Sequence, residues 1–329
     1  MSASPTAGAI KIPNDYPVEL TAPDITPYAA GNTGTPYIWS FDSGVPGEHV
    51  MISALVHGNE ICGAIALDWL LREEVRPVKG RLSLGFINID AYSRFDPDDP
   101  NATRWADEDF NRLWSDAVLT GERDSSELRR AREIRPFMDG VDILLDIHSM
   151  QRPSPPFMMA GMRAKGRELA RQVGVPEIVI SDQGHAAGVR MRDYAGFSDP
   201  DSPKNAVLIE CGQHWEKAAG DLAIETSLRI LRSRGTIDEA FGGDIGRAAT
   251  PPQTFVEVTE AVTVKSEKEF TFARAYTGGE IIPEKGTLLA HDGGEEILTP
   301  YDNCFLVMPS MRLWQGQTAV RLGRIIDQN

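Results

Sequence analysis

From about residue 49 to residue 235 the chain alternates short apolar runs with longer helix-like ones, and this rhythm restricts its fold more than any other feature. The apolar runs lie at 50–56, 81–89, 141–147, 177–181 and 206–211, and are short enough to be buried strands. Helix-like runs separate them at 60–75, 124–138, 162–173 and 217–233. Strands apolar on both faces, with helices between them, call for an α/β fold with a mixed, largely parallel central sheet flanked by helices. Residues 1–48 are rich in Pro, Gly and Thr and read as an N-terminal arm with a short strand near Pro36-Tyr37-Ile38-Trp39.

Past Gly242-Gly243 and Pro251-Pro252 the texture changes. Residues 255–264 alternate, as do runs near 269–275 and 304–308, with turns at Gly278-Gly279 and Gly293-Gly294. A small all-β C-terminal domain over 246–329 is therefore expected after an α/β domain over 1–245.

The net charge of −15 argues against nucleic acid or an anionic membrane as a partner. It leaves an anionic small molecule open, because a local arginine cluster overrides the global sign. Cys62, Cys211 and Cys304 are odd in number and far apart, which is no disulfide framework and fits a reducing compartment. Met1 to Pro13 lacks a basic-then-apolar segment, and no apolar run approaches membrane-spanning length. A cytoplasmic enzyme is the expectation. Any oligomer is expected to be a symmetric homo-oligomer, dimers being the commonest.

The chemistry begins at His57-Gly58-Asn59-Glu60, between the strand-like run 50–56 and the helix-like run that starts at Ile61. His-x-x-Glu alone is a weak signal. Its place at the carboxyl end of a strand strengthens it, because open α/β sheets bind ligands there. An open catalytic zinc site needs three protein ligands. His148 ends the run 141–147 and is the best third candidate beside His57 and Glu60. Asp146, two residues earlier, shares its side of an extended strand and can orient a ligand imidazole. Otherwise it is a loop-end acid bonded to backbone.

Hydrolysis needs a proton carrier. Glu210 ends the buried run 206–209 and is the candidate, with a helix-capping role ahead of 217–233 as the plainer alternative. Arg104 and Arg112 lie in the expected loop 103–112, where a planar guanidinium suits a carboxylate or a developing oxyanion, although most loop arginines are simply solvated. His49 falls at the opposite end of its strand, His185 and His291 lie in Gly-rich loops, and His214 lies near Glu210 at the cleft. No Gly-x-Ser-x-Gly elbow is present, which disfavours a serine hydrolase.

Taken in order, His57-Gly58-Asn59-Glu60, Asp109-Phe110-Asn111-Arg112, Asp146-Ile147-His148-Ser149 and Ile209-Glu210 resemble the succinylglutamate desuccinylase and aspartoacylase group. That group is a branch of the zinc-carboxypeptidase-like hydrolases. The resemblance spans most of the chain. It implies a carboxypeptidase-like α/β domain and a β domain that narrows the cleft. It implies one Zn²⁺ per chain on His57, Glu60 and His148, with Glu210 as general base and later acid. Arg104 looks like the group that polarises the scissile carbonyl, and Asn111 with Arg112 like the pair that holds a substrate carboxylate.

The implied activity is zinc-dependent hydrolysis of the amide of a small, carboxylate-bearing N-acyl amino acid. The alternatives are a metallocarboxypeptidase acting on short peptides and a metal-free binding protein on the same scaffold. One departure stands out. Aspartoacylases carry a further arginine about ten residues before the base, where this chain has Pro200. Arg190 and Arg192 are the nearest upstream substitutes, and Trp314 is a packing or cleft-facing aromatic of the β-rich part.

Overall fold

The computed structural model describes residues 14–184, 187–267 and 269–326. The readings made for Met1 to Pro13 and for His185 lie outside the described residues. In chain order the elements are β1 (Ile38–Asp42), β2 (His49–Ala54), α1 (Ile61–Arg72), β3 (Arg81–Phe86), α2 (Ile89–Tyr92), α3 (Asp116–Leu119), α4 (Ser126–Met138) and β4 (Ile143–Met150). Next come β5 (Phe157–Met159), α5 (Ala164–Val173), β6 (Ile178–Ser181), β7 (Asn205–Gln213) and α6 (Lys217–Ser233). The β-rich part holds β8 (Thr254–Thr263), β9 (Phe270–Phe272), β10 (Ile281–Ile282), β11 (Leu288–Asp292), β12 (Glu295–Leu298), β13 (Cys304–Val307) and β14 (Thr318–Ile326).

Eleven strands form one sheet in the order β1-β3-β2-β4-β7-β5-β6-β8-β14-β13-β10. The centre, β3-β2-β4-β7, is parallel throughout. The expected mixed, largely parallel α/β sheet is thus present. Strand β5 was not visible in the sequence. It has three residues wedged behind Pro155-Pro156, and it runs antiparallel to β7 and parallel to β6. The C-terminal strands continue the same sheet, because β8 pairs in parallel with β6. A second sheet, β12-β11-β9, lies in the β-rich part.

Period-two alternation sorts each central strand between two cores. Ile143, Leu145 and Ile147 of β4 face the core built with α1, α5 and α6, as do Val207, Ile209 and Cys211 of β7. Leu144 faces the other core, with α4 and the following loops. Asp146 and His148 share the parity of Leu144, and Glu210 shares that of Ala206 and Leu208. The polar residues therefore fall on one face at the carboxyl ends of β4 and β7, while apolar residues fill the opposite face.

The N-terminal arm packs along the molecule through Val18 and Leu20, and the Glu19 and Leu20 amides bond to the Trp215 carbonyl. Among the described residues no helix is long and apolar enough to cross a membrane.

Helix α1 can sit against the sheet only because residue 63 has no side chain. A Cβ there would stand 2.8 Å from the Ala54 Cβ and 3.1 Å from the Ile147 Cβ, both rigidly attached to the sheet. Helix propensity alone favours alanine over glycine by up to about 1 kcal/mol. Overpacking a rigid contact costs about 1–3 kcal/mol. Gly63→Ala is therefore expected to be destabilising, as a lowered urea midpoint; a raised midpoint would show that propensity wins.

Candidate active site

Residues 55–60 turn sharply from β2 into α1. Leu55 takes a left-handed φ of 62°, and a Cβ on Gly58 would come within 2.5 Å of the Ala91 carbonyl carbon and the Thr103 oxygen. The Gly58 amide donates to the Arg104 carbonyl at 3.0 Å, which ties this turn to the 103–112 loop. That loop is fixed from below by Glu127, fully buried in the first turn of α4. Its carboxylate accepts from the amides of Ala106 (2.6 Å), Asp107 (3.0 Å) and Glu108 (3.2 Å). Three backbone donors on one carboxylate set the path of the segment that carries Arg104 and Arg112.

The turn brings His57 and Glu60 to the end of β4. Glu60 stands between two imidazoles, with Oε1 2.8 Å from His57 Nδ1 and Oε2 2.8 Å from His148 Nδ1. The rings are 5.1 Å apart between centroids, and donor atoms of His57, Glu60 and His148 all lie within 4.8 Å of one another. All three residues are buried. Asp146 Oδ2 is 2.9 Å from His148 Nε2, and Ser53, its register partner on β2, donates to Asp146 Oδ1 at 2.8 Å. Asp109 Oδ1 lies 3.0 Å from His57 Nε2. Sequence reasoning gave Asp109 no role, although its place at the head of Asp-Phe-Asn-Arg was the available signal.

His148 therefore faces carboxylate oxygens with both nitrogens, whereas His57 Nε2 stands between Asp109 Oδ1 and the Arg104 guanidinium, at 3.0 Å from each. Neutral imidazole has one donor and one acceptor nitrogen, so this pattern calls for positive charge at the cluster. Burial opposes that charge on His148, but Asp146 and Glu60 outweigh it and hold the imidazole well above its ordinary range. Burial likewise opposes ionisation of Glu60, and the charges of His57 and His148 outweigh it to hold the carboxyl well below its usual range. A divalent cation among the three converging atoms satisfies the same demand. Two imidazoles and a carboxylate suit Zn²⁺, and each ring nitrogen left over has a carboxylate partner, as ligating histidines usually do. The donor set fits the metal.

Glu210 is the register partner of His148 on the neighbouring strand, so the two side chains project from the same face of the sheet. Its Oε2 is buried with no hydrogen-bond partner. Burial, reinforced by the Glu60 charge, pushes its carboxyl well above the ordinary range. Arg104 donates to Glu60 Oε1 at 2.9 Å and reaches His57 Nε2 at 3.0 Å. Arg112 lies 3.7 Å from Asp109. Asn111 accepts from the Met191 amide at 2.8 Å through its Oδ1, which leaves its NH₂ to donate. His214, held by Ser149 Oγ at 2.8 Å, completes this rim, and burial pulls its imidazole down to about 3, so it is neutral.

All seven residues singled out in the sequence line one cavity of about 190 Å³. The β-rich part closes it with Thr263, Tyr276 and the 308–312 segment. His49 lies at the other pole, bonded to Gly140 and Ser83. Trp314 is not among the residues that line the cavity, whereas Tyr276 is. Arg190 lines it too, while Arg192 is buried against the carbonyls of Ala160 and Ala206.

Residues 46–232 match the succinylglutamate desuccinylase/aspartoacylase catalytic domain. The chain belongs to the succinylglutamate desuccinylase/aspartoacylase family. It is 24% identical over 315 residues to the succinylglutamate desuccinylase of Pseudoalteromonas atlantica, covering 87% of this chain and 84% of that protein. Its fold is similar to a succinylglutamate desuccinylase from Vibrio parahaemolyticus (TM-score 0.63, 16% identity, 85% of this chain and 82% of that one). It is also similar to murine aminoacylase 3 (TM-score 0.60, 17% identity, 85% and 96%). At such identities the solved structures speak for the family fold, which combines the mostly parallel sheet with the additional β-strands.

Replacing Asp146 by Asn keeps its shape and removes its charge. Asp146→Asn is expected to weaken zinc binding about 10–100-fold in competition with a chelator, with the far-ultraviolet spectrum unchanged. Unaltered affinity would show that Asp146 does not orient a ligand.

Proposed function

We propose that this family member is a zinc-dependent amidohydrolase that cleaves the acyl–nitrogen bond of a small, carboxylate-bearing N-acyl amino acid. The observation that carries the reading is the pairing of two features on one rim: three convergent donors at His57, Glu60 and His148, and beside them an unpartnered buried carboxyl on Glu210. In this reading His57, Glu60 and His148 hold the metal. Bound Zn²⁺ supplies Lewis acidity at neutral pH, bringing the pKa of water to about 7.

The remaining roles belong to the chain's own residues. Glu210 Oε2 has no competing partner, so it is available to take a proton from the attacking water and return it to the leaving nitrogen. Burial raises the proton affinity of this carboxyl above the ordinary range, toward the operating pH at which one group can both accept and return a proton. Arg104, anchored on Glu60, presents a fixed positive charge to the oxygen that becomes negative in the tetrahedral state. Asn111 and Arg112 bind the substrate carboxylate and so fix the carbonyl against the reacting groups.

The cavity volume of about 190 Å³ lies below the roughly 300–1,000 Å³ of sites for drug-sized ligands, which favours a small metabolite over a peptide. The expected localisation is the cytoplasm.

Two substitutions separate the roles. Glu210→Gln is expected to retain its zinc and lose about 10²–10⁴-fold in kcat, the usual range for a removed general acid–base. His148→Ala is expected to lose the metal on dialysis, as read by elemental analysis. A panel of N-acyl amino acids beside short peptides supplies the substrates. Undiminished turnover in Glu210→Gln removes that residue from the chemistry, and preferential cleavage of the peptides overturns the substrate class.

A further inference from the structure

The cavity holds more positive charge than these roles use. Arg104 is anchored on Glu60, and Arg112 stands beside Asp109. Arg190, the one of the two upstream arginines that lines the cavity, binds Asp182 with two nitrogens at 3.0 and 2.6 Å and Asp193 with a third. Pro200 itself is exposed. Among its described residues the 181–205 stretch therefore presents no uncommitted cation to the cavity.

Arg312 does. It enters from the connection between β13 and β14 and lines the same cavity as His57, Arg104 and Arg112. Among the described residues no carboxylate lies within ion-pair distance of its guanidinium, the nearest negative charges being those of Asp109 and Glu60. Its contact is with Trp105, whose ring centroid lies 5.4 Å from the Arg312 Cζ and 5.5 Å from that of Arg104. One indole thus steadies two guanidiniums, one from each side of the cleft. The backbone on the Arg312 side is tied by hydrogen bonds. The Ser310 amide donates to the Ala319 carbonyl at 2.7 Å, and the Arg312 amide donates to Ser310 Oγ at 2.9 Å.

Burial and the nearby Arg104 charge bring Arg312 down to about 9, so it remains a cation at neutral pH, held against desolvation and like charge. An anion in the cavity relieves both. Carboxylates already pair with Arg104, Arg112, Arg190 and Arg321. Arg312 and Arg152 have none within ion-pair distance among the described residues, and of the two Arg312 is the one that stacks on Trp105 beside Arg104, with only the more distant charges of Asp109 and Glu60 to offset its own.

We propose that Arg312 binds a second carboxylate of the substrate and is the residue that selects N-acyl amino acids with two carboxylates over those with one. The proposal rests on the hydrolase reading above, in which Asn111 and Arg112 hold the first carboxylate. It places the second anchor on the β-rich part, where the family pattern leaves a gap at Pro200.

The test uses ligand pairs that differ only in the second carboxylate: N-acetylaspartate and N-acetylasparagine, N-acetylglutamate and N-acetylglutamine, N-succinylglycine and N-butyrylglycine. Binding is measured by calorimetry on the full, zinc-loaded chain in a Glu210→Gln background, which avoids turnover. Zinc content and far-ultraviolet spectra confirm that each variant is intact. At least one dicarboxylate is expected to bind about tenfold or more tightly than its partner. Arg312→Gln should reduce that preference to within about threefold while leaving the monocarboxylate within about threefold. Arg312→Lys should keep part of the preference, and Arg152→Gln, at another cavity arginine, should keep all of it.

A preference that survives in Arg312→Gln overturns the proposal. So does the absence of any preference in the parent, or its loss in Arg152→Gln alone. Turnover by the zinc-loaded wild type is measured separately. No hydrolysis combined with an Arg312-dependent preference removes the hydrolase reading and leaves the anchor. Hydrolysis combined with an Arg312-independent preference does the reverse.

Discussion

The Glu60 carboxylate, shared between the Nδ1 atoms of His57 and His148, is the interaction on which the rest of the site depends. It joins the end of β2 to the end of β4. Everything around it serves to make a buried carboxylate between two buried imidazoles tolerable. Asp146 and Asp109 balance the outer ring nitrogens, and Arg104 balances Glu60 itself. Burying any one of these charges alone would cost several kcal/mol. Together they neutralise one another and leave the three inner donor atoms converging on one point.

The sheet explains why these residues meet. Parallel strands end on the same edge, so the carboxyl ends of β2, β4 and β7 place their terminal side chains on one rim. Register then makes the selection. His148 faces Glu210 across β4 and β7, and Ser53 faces Asp146 across β2 and β4. A one-residue slip in β4 would turn His148 and Asp146 into the helix-packed core and bring Ile147 to the rim. The apolar residues of alternating parity therefore protect the site as well as stabilise the fold.

Much of this was legible in the sequence, and the boundary of legibility has physical causes. Apolar strand runs and helix-like runs between 49 and 235 appear within a few residues of their expected places, because burial on both faces leaves an unmistakable composition. His57, His148 and Glu210 were readable because each stands at the end of such a run, and Glu60 because it follows His57 by three residues at the head of the next helix. Strand β5 was not, since three residues carry no period. Strand β14 was not, since buried Arg321 and Gly323 interrupt its alternation. Nor did sequence spacing announce Glu127, Asp109 or Arg312, whose roles come from contacts across 15 or more residues, such as Glu127 with the amides of 106–108. The acidic composition concealed a cationic cavity, because net charge does not report where six arginines gather.

The proposed chemistry requires His57, Glu60 and His148 to grip one divalent ion. The most direct measurement is a crystal structure of the zinc-loaded chain with anomalous diffraction recorded at the zinc absorption edge. One anomalous peak per chain is expected, bonded to His57 Nδ1, a Glu60 oxygen and His148 Nδ1. No peak among these three residues, or a peak held by other side chains, would contradict it.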